Sequence, residues 1–90
     1  MVERRLEVIN RLGLHARAAA KLVHLAGTFE SHVLLVTDDG EEIDAKSILG
    51  ILLLAAAQGT SVTLRCSGPN ESAASEQIAA LFADRFGEGD

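Results

Sequence analysis

The sequence predicts a two-layer α/β sandwich in the order strand, helix, strand, strand, helix, strand, helix. Three observations carry that prediction. The first and last strand segments alternate apolar and polar residues with the period of two expected of a half-buried sheet. Asp39-Gly40 supplies a hairpin turn between the second and third strands. Each helical segment has one apolar stripe, and such stripes must cover a common sheet face. Ninety residues suffice for one domain, residues 1–90, with a single core. No linker, repeat or low-complexity stretch divides them.

Taken in order, Glu3 to Ile9 reads as a strand, with Leu6 and Val8 on one face and Arg5 and Glu7 on the other. Asn10 to Gly13 connects it to a helix over Ala16 to Ala26, whose buried stripe is Ala19, Leu22, Val23 and Ala26. Gly27 is expected to end that helix in a left-handed conformation. Phe29 then anchors the return of the chain. Ser31 to Thr37 is the second strand, and Glu42 to Ala45 is a short acidic third strand suited to a sheet edge. Ser47 precedes a short helix beginning at Ile48 and ending before Gly59. Thr60 to Ser67 is the fourth strand, with Val62, Leu64 and Cys66 on one face. Asn70 fits an N-cap for a last helix over Glu71 to Phe86, with Ala74, Ile78, Leu81, Phe82 and Phe86 inward. Gly87 to Asp90 is expected to fray.

Composition narrows the function. Trp and Tyr are absent and Phe29, Phe82 and Phe86 are the only aromatics, so the core must be built from Leu, Val, Ile and Ala. A net charge of −5 and the lack of stacking platforms argue against nucleic-acid binding. A lone Cys66 allows no internal disulfide, and no metal-ligand spacing or cofactor motif is present. Glu3, Arg4 and Arg5 interrupt any signal-peptide pattern, and no apolar run reaches membrane-spanning length. A cytoplasmic location is the expectation, without membrane insertion.

The basic residues are not spread evenly. Arg11, Arg17 and Lys21 surround His15, Lys46 is expected to join them, and His24 continues the ridge along the helix. His15 falls at the start of the first helix, where backbone N–H groups lack intrahelical partners and anions are attracted. Arg17 adds a planar fork of donors suited to phosphate oxygens. An imidazole so placed fits a phosphoryl acceptor, although a lone histidine at such a junction is more often a helix cap or simply exposed. Ser47 has the same double character. Its hydroxyl suits an N-cap, and a phosphate added there would bring about −1.5 to −2 charge beside an apolar surface.

Gly13-Leu14-His15-Ala16-Arg17, together with Lys46-Ser47-Ile48-Leu49-Gly50-Ile51, resembles the HPr family, the histidine-containing phosphocarriers of the bacterial phosphoenolpyruvate-dependent phosphotransferase system. The resemblance spans essentially the whole chain. It implies an open-faced sandwich, a four-stranded antiparallel sheet with three helices on one face in the order βαββαβα. It also implies a carrier, not an enzyme, phosphorylated on the Nδ1 atom of His15 by the system's first enzyme. The group would then pass to a histidine of a sugar-specific or regulatory A domain. Arg17 corresponds to the arginine that steadies the phosphoryl group. Ser47 corresponds to a regulatory serine modified in some branches by a dedicated kinase and phosphatase. The implied partner face is Arg17, Ala20, Lys21 and His24 with Ile48, Leu49 and Leu52, on a protein expected to be a monomer.

Two residues depart from the family pattern. Ala18 stands where proline is usual, and Ala20 where a small hydroxyl residue is common. Both sugar uptake and a purely regulatory relay fit such a carrier. The competing functions are a regulatory interaction module that keeps the fold without the relay, and a small hydrolase on a similar scaffold such as an acylphosphatase. No pairing of a phosphate-cradling arginine with a water-positioning amide favours the latter.

Overall fold

The computed structural model describes residues 1–88. Its elements are β1 (Val2–Glu7), α1 (Ala16–Gly27), β2 (His32–Val36), β3 (Glu42–Asp44), α2 (Ile48–Leu54), β4 (Ser61–Ser67) and α3 (Glu71–Ala83). A 3₁₀ turn, Arg85–Gly87, follows. The strands form one antiparallel sheet in the spatial order β1-β4-β2-β3. This is the open-faced sandwich that the sequence and its resemblance lead one to expect, with acidic β3 at an edge.

Alternation decides which face is covered. Leu6, Val33, Leu35, Ile43, Val62, Leu64 and Cys66 point inward and meet Leu22, Ile51, Ile78 and Phe82 from the helices. The thiol of Cys66 is buried, which pushes its pKa up and leaves it a small apolar side chain. On the open face, Arg65 donates to Glu3 at 2.7 Å and to Glu42 at 2.9 Å. Its long side chain crosses the sheet between the strands that carry these two carboxylates, where Leu34 and Val36 are half-buried.

Several local expectations are corrected. Gly27 stays within α1, which ends instead through right-handed Thr28, whose hydroxyl donates to the Leu25 carbonyl at 2.7 Å. A polar side chain on the last turn thus replaces the left-handed glycine cap. Ala18 is fully buried, whereas Val23 is only partly so, which turns the buried stripe about the helix axis toward Ala18. Asn70 is itself left-handed and its side chain caps nothing. Asn70 does hold the N-cap position, its carbonyl accepting the Ala74 N–H at 2.9 Å, and the Glu71 carboxylate closes the preceding turn by accepting the Gly68 N–H at 3.1 Å.

The largest departure lies at the end of α3. The helix stops at Ala83, and Arg85, Phe86 and Gly87 all take positive φ. This reversal turns the Phe86 ring into the core against Phe82, centroid to centroid 5.0 Å, while Leu81 is only partly buried. Gly87 and Glu88 therefore do not fray, being carried by a buried aromatic; residues 89–90 lie outside the described residues.

The link from β1 to α1 sets the position of His15. Gly13 has φ +69, and a Cβ there would lie 2.4 Å from the Ala56 carbonyl oxygen. Gly40, at φ +90 in the β2–β3 hairpin, faces open space. Gly40→Ala is therefore expected to cost only the left-handed backbone penalty, about 1–2 kcal/mol. Gly13→Ala must also displace backbone and should cost clearly more in urea unfolding. Equal losses at the two positions would show that the Ala56 contact is unimportant.

Candidate functional site

After β1 the chain still pairs with the strand β4 side, Val8 donating to Thr60 at 2.8 Å and accepting from Gly59 at 2.7 Å. It then turns over Asn10 to Gly13, closed by Gly13 N–H to the Asn10 carbonyl at 3.1 Å. Asn10 is wholly buried, and its side-chain amide donates to the Gly13 carbonyl at 2.7 Å and to Glu88 Oε1 at 2.9 Å. Leu14 is buried and donates its N–H to the Ala56 carbonyl at 2.8 Å. The turn is thereby tied to the end of α2, and the next residue is His15.

His15 is the N-cap of α1. Its backbone is extended, its carbonyl accepts from Ala19 at 2.8 Å, and its Nδ1 accepts the Arg17 N–H at 3.2 Å. A histidine thus occupies the place usually held by Ser, Thr, Asp or Asn. The ring's Nδ1 lone pair is directed at the amides that an anion would occupy. About a quarter of the side chain remains exposed.

The opposite ring nitrogen, Nε2, meets the carboxylate of Glu88. The Glu88 side chain is only 8% exposed. The His15 imidazole and the Asn10 amide, with the Arg17 charge adding to them, hold the Glu88 carboxyl below the ordinary glutamate range against the opposing effect of burial. Neither Asn10 nor Glu88 was identified from sequence. Asn10 left a weak signal as a turn-forming residue three before a glycine. Glu88 left none, because the backbone reversal that delivers it depends on where Phe86 packs.

Two clefts of about 320 Å³ flank the ring. One is polar, lined by His15, Arg17, Lys21, Gly87 and Glu88 with Leu12 at its rim. The other is apolar, lined by Leu12, Leu14, Leu52 and Ala55 to Ala57. Arg17 is exposed beside the first, and the Lys21 ammonium donates to the Phe86 carbonyl at 2.6 Å. Lys46 does not join this group. Its ammonium is bound to the Phe29 carbonyl at 2.7 Å, beyond the opposite end of α1 and roughly 18 Å away along a helix of this length.

Ser47 caps α2, its hydroxyl accepting the Gly50 N–H at 3.1 Å. The end of α2 near His15 is the other one, about 10 Å off along a seven-residue helix. Between the two ends Ile48, Leu49 and Leu52 are exposed, as are Leu53 and Leu12. Ala20 and His24 are exposed on α1. His32 begins β2 on the exposed sheet face. Among the described residues no cluster of His, Cys, Asp and Glu has the makings of a metal site, and no helix is long and apolar enough to cross a membrane.

Comparison with known proteins agrees with this architecture. A family model described as the phosphorylation site of the phosphotransferase system's HPr component matches residues 2–84. The phosphocarrier protein HPr of Cupriavidus necator is 51% identical over 90 residues, covering both chains completely. The phosphocarrier protein NPr of Escherichia coli is 39% identical over 87 residues, 97% of each chain. Among solved structures, an HPr from Thermoanaerobacter tengcongensis superposes with a TM-score of 0.93 at 39% identity, over 98% of each chain. With a buried turn that presents one histidine at a helix start, and with relatives of this kind along its whole length, the chain belongs to the HPr family of phosphocarriers, which are carriers and not catalytic enzymes.

Proposed function

We propose that residues 1–90 act as one monomeric cytoplasmic carrier domain whose His15 accepts a phosphoryl group from the first enzyme of the phosphotransferase system. His15 then hands the group to a histidine of an A domain. The observation that carries this reading is the hydrogen bond from the Arg17 N–H to His15 Nδ1 at 3.2 Å. The attacking lone pair already points at the donors that the phosphoryl oxygens would need. In the transfer the Nδ1 pair forms the new N–P bond, and the donor's N–P bond breaks with its pair returning to the donor ring. The oxygens then replace Nδ1 as acceptors for the first-turn amides. Ala18 keeps an N–H in that turn where a proline has none, so it adds a donor.

The Arg17 guanidinium, exposed in the lining of the polar cleft, would supply charge and a bidentate fork to the phosphoryl oxygens. Catalysis at each step belongs to the partner, which docks over the apolar cleft and the exposed Ile48, Leu49 and Leu52 alongside Arg17, Ala20, Lys21 and His24. Ser47 lies within reach of that docking face but outside the His15 clefts. A phosphate placed on it by a serine kinase, and removed by a phosphatase, would act on docking and not on the imidazole.

Three outcomes test this. Incubation with phosphoenolpyruvate and the first enzyme should add one acid-labile phosphate, and His15→Ala should abolish it; a labelled alanine variant would remove His15 as acceptor. An unlabelled wild-type protein that still binds a regulatory partner would instead favour the interaction-module reading. Arg17→Ala should keep the fold and slow transfer roughly 10- to 100-fold, the scale of one charge-assisted hydrogen bond of about 1.5–3 kcal/mol. Unchanged transfer kinetics would dismiss that role. Ser47→Asp should weaken binding of the first enzyme about tenfold with the intrinsic chemistry intact, since a charge set against an apolar interface opposes docking. Calorimetric titration showing equal affinity would contradict it.

A further inference from the structure

Glu88 has no part in the relay as described so far, yet it is the side chain most firmly placed beside the reacting ring. Its Oε2 meets His15 Nε2, and its Oε1 accepts from the buried Asn10 amide at 2.9 Å. The segment that brings it there is fixed twice more. Phe86 is buried in the core, and its carbonyl accepts the Lys21 ammonium at 2.6 Å. Three successive left-handed residues, Arg85 to Gly87, redirect the chain to make these contacts. For Arg85 and Phe86 that backbone is unfavourable, so the surrounding packing must hold it.

We infer that Glu88 is a positioning residue for phosphoryl transfer, holding the Nε2 proton of His15 so that Nδ1 is the nucleophile and stabilising the cationic ring that forms when Nδ1 is phosphorylated. The inference rests on His15 being the acceptor. Its chemistry follows from where the proton sits. With the Arg17 N–H facing Nδ1 and a carboxylate facing Nε2, the neutral ring carries its proton on Nε2. When Nδ1 forms the N–P bond, that proton stays, and the ring becomes a cation. When the group departs, the N–P electron pair returns to Nδ1 and the ring is neutral again. A carboxylate on Nε2 favours the cationic state, which is the state from which a neutral imidazole can leave. The same logic orients metal-bound and triad histidines through a carboxylate on the far nitrogen.

The charged groups around the ring are few. Glu88 comes from beyond α3, and Arg17 and Lys21 come from α1, the Lys21 ammonium being held by the Phe86 carbonyl, while the described residues lining the α2 side are the apolar Leu52 and Ala55 to Ala57. Glu88 is thus the carboxylate placed on Nε2, and Asn10 holds its second oxygen so that it cannot rotate away.

The test uses the full chain, phosphoenolpyruvate, the first enzyme, and pyruvate added afterwards to draw the phosphoryl group back. Glu88→Gln keeps the size and an acceptor oxygen but removes the charge. Glu88→Ala removes both. Each is expected to unfold in urea near the wild-type midpoint, and each should return phosphate from His15 about five- to tenfold more slowly, the scale of losing one partly screened charge-assisted hydrogen bond. In proton NMR of the unphosphorylated protein, the His15 Nε2–H resonance should persist in Glu88→Gln and be lost to water exchange in Glu88→Ala. Wild-type return rates in both variants, or a resonance that survives Glu88→Ala, would overturn the role of Glu88 and leave His15 as acceptor. Failure of the wild-type protein to accept label would overturn the carrier reading instead, and the NMR result would still decide the contact.

Discussion

The corner where β1 hands over to α1 depends on one carbonyl oxygen. Ala56 O accepts the Leu14 N–H at 2.8 Å, and the missing side chain of Gly13 is what allows the approach. That oxygen is available because α2 stops in a left-handed residue, Ala55, at φ 52. An alanine there is disfavoured by about 1–2 kcal/mol, and seven residues are too few for a helix to persist alone. What holds α2 is burial of Ile51 beneath it and its caps, Ser47 at one end and the Ala55 reversal at the other. The short helix therefore has a positional task. Its end fixes the backbone from which His15 projects, while its exposed side forms the surface next to that histidine.

Charge around His15 is arranged less simply than a cationic island on an acidic chain. Lys46 is committed at the far end of α1, and Lys21 is tied to the Phe86 carbonyl. A carboxylate, not a further cation, touches the ring. The two ring nitrogens consequently face opposite partners, a backbone N–H at Nδ1 and a carboxylate at Nε2. In the proposed relay such an arrangement polarises the imidazole along the axis of transfer. It would also limit how tightly a phosphoryl group is kept, since the carboxylate favours the ring form that releases it. A purely cationic pocket would bind phosphate more firmly and pass it on less readily.

The order of elements and the inward faces of the strands were legible because alternation and single-stripe helices are local signals. So was Ser47 as a cap, since a hydroxyl just before an apolar run needs only the next turn to act. What escaped notice depends on contacts distant in sequence. Thr28 replaced Gly27 at the end of α1 because a side-chain hydroxyl competed for the same carbonyls. Asn70 holds the N-cap position of α3, but its left-handed backbone leaves its side chain without a first-turn hydrogen bond. The periodicity of α3 runs on smoothly to Phe86, and only packing against Phe82 reveals that the chain has already reversed. That reversal brings Glu88 across 73 positions to His15. Half of the site therefore lay outside any local motif.

The exposed leucines have a consequence for how such a site is used. Leu49 and Leu53 are 64% and 76% exposed, and burying a leucine fully is worth about 1.5–3 kcal/mol. The fold forgoes that stabilisation on a surface that borders the apolar cleft at His15. A partner seated there recovers it, and the same contact covers a ring that is otherwise open to water on one side. Removing water strengthens each hydrogen bond and charge aimed at the transferring group. Under the proposed function docking and chemistry would be coupled by position, because the surface offered to a partner is continuous with the surface that must be dried for transfer. In the proposed relay a charge introduced at Ser47 would act on the first without touching the imidazole, so that a serine one helix length away would govern a reaction it does not join.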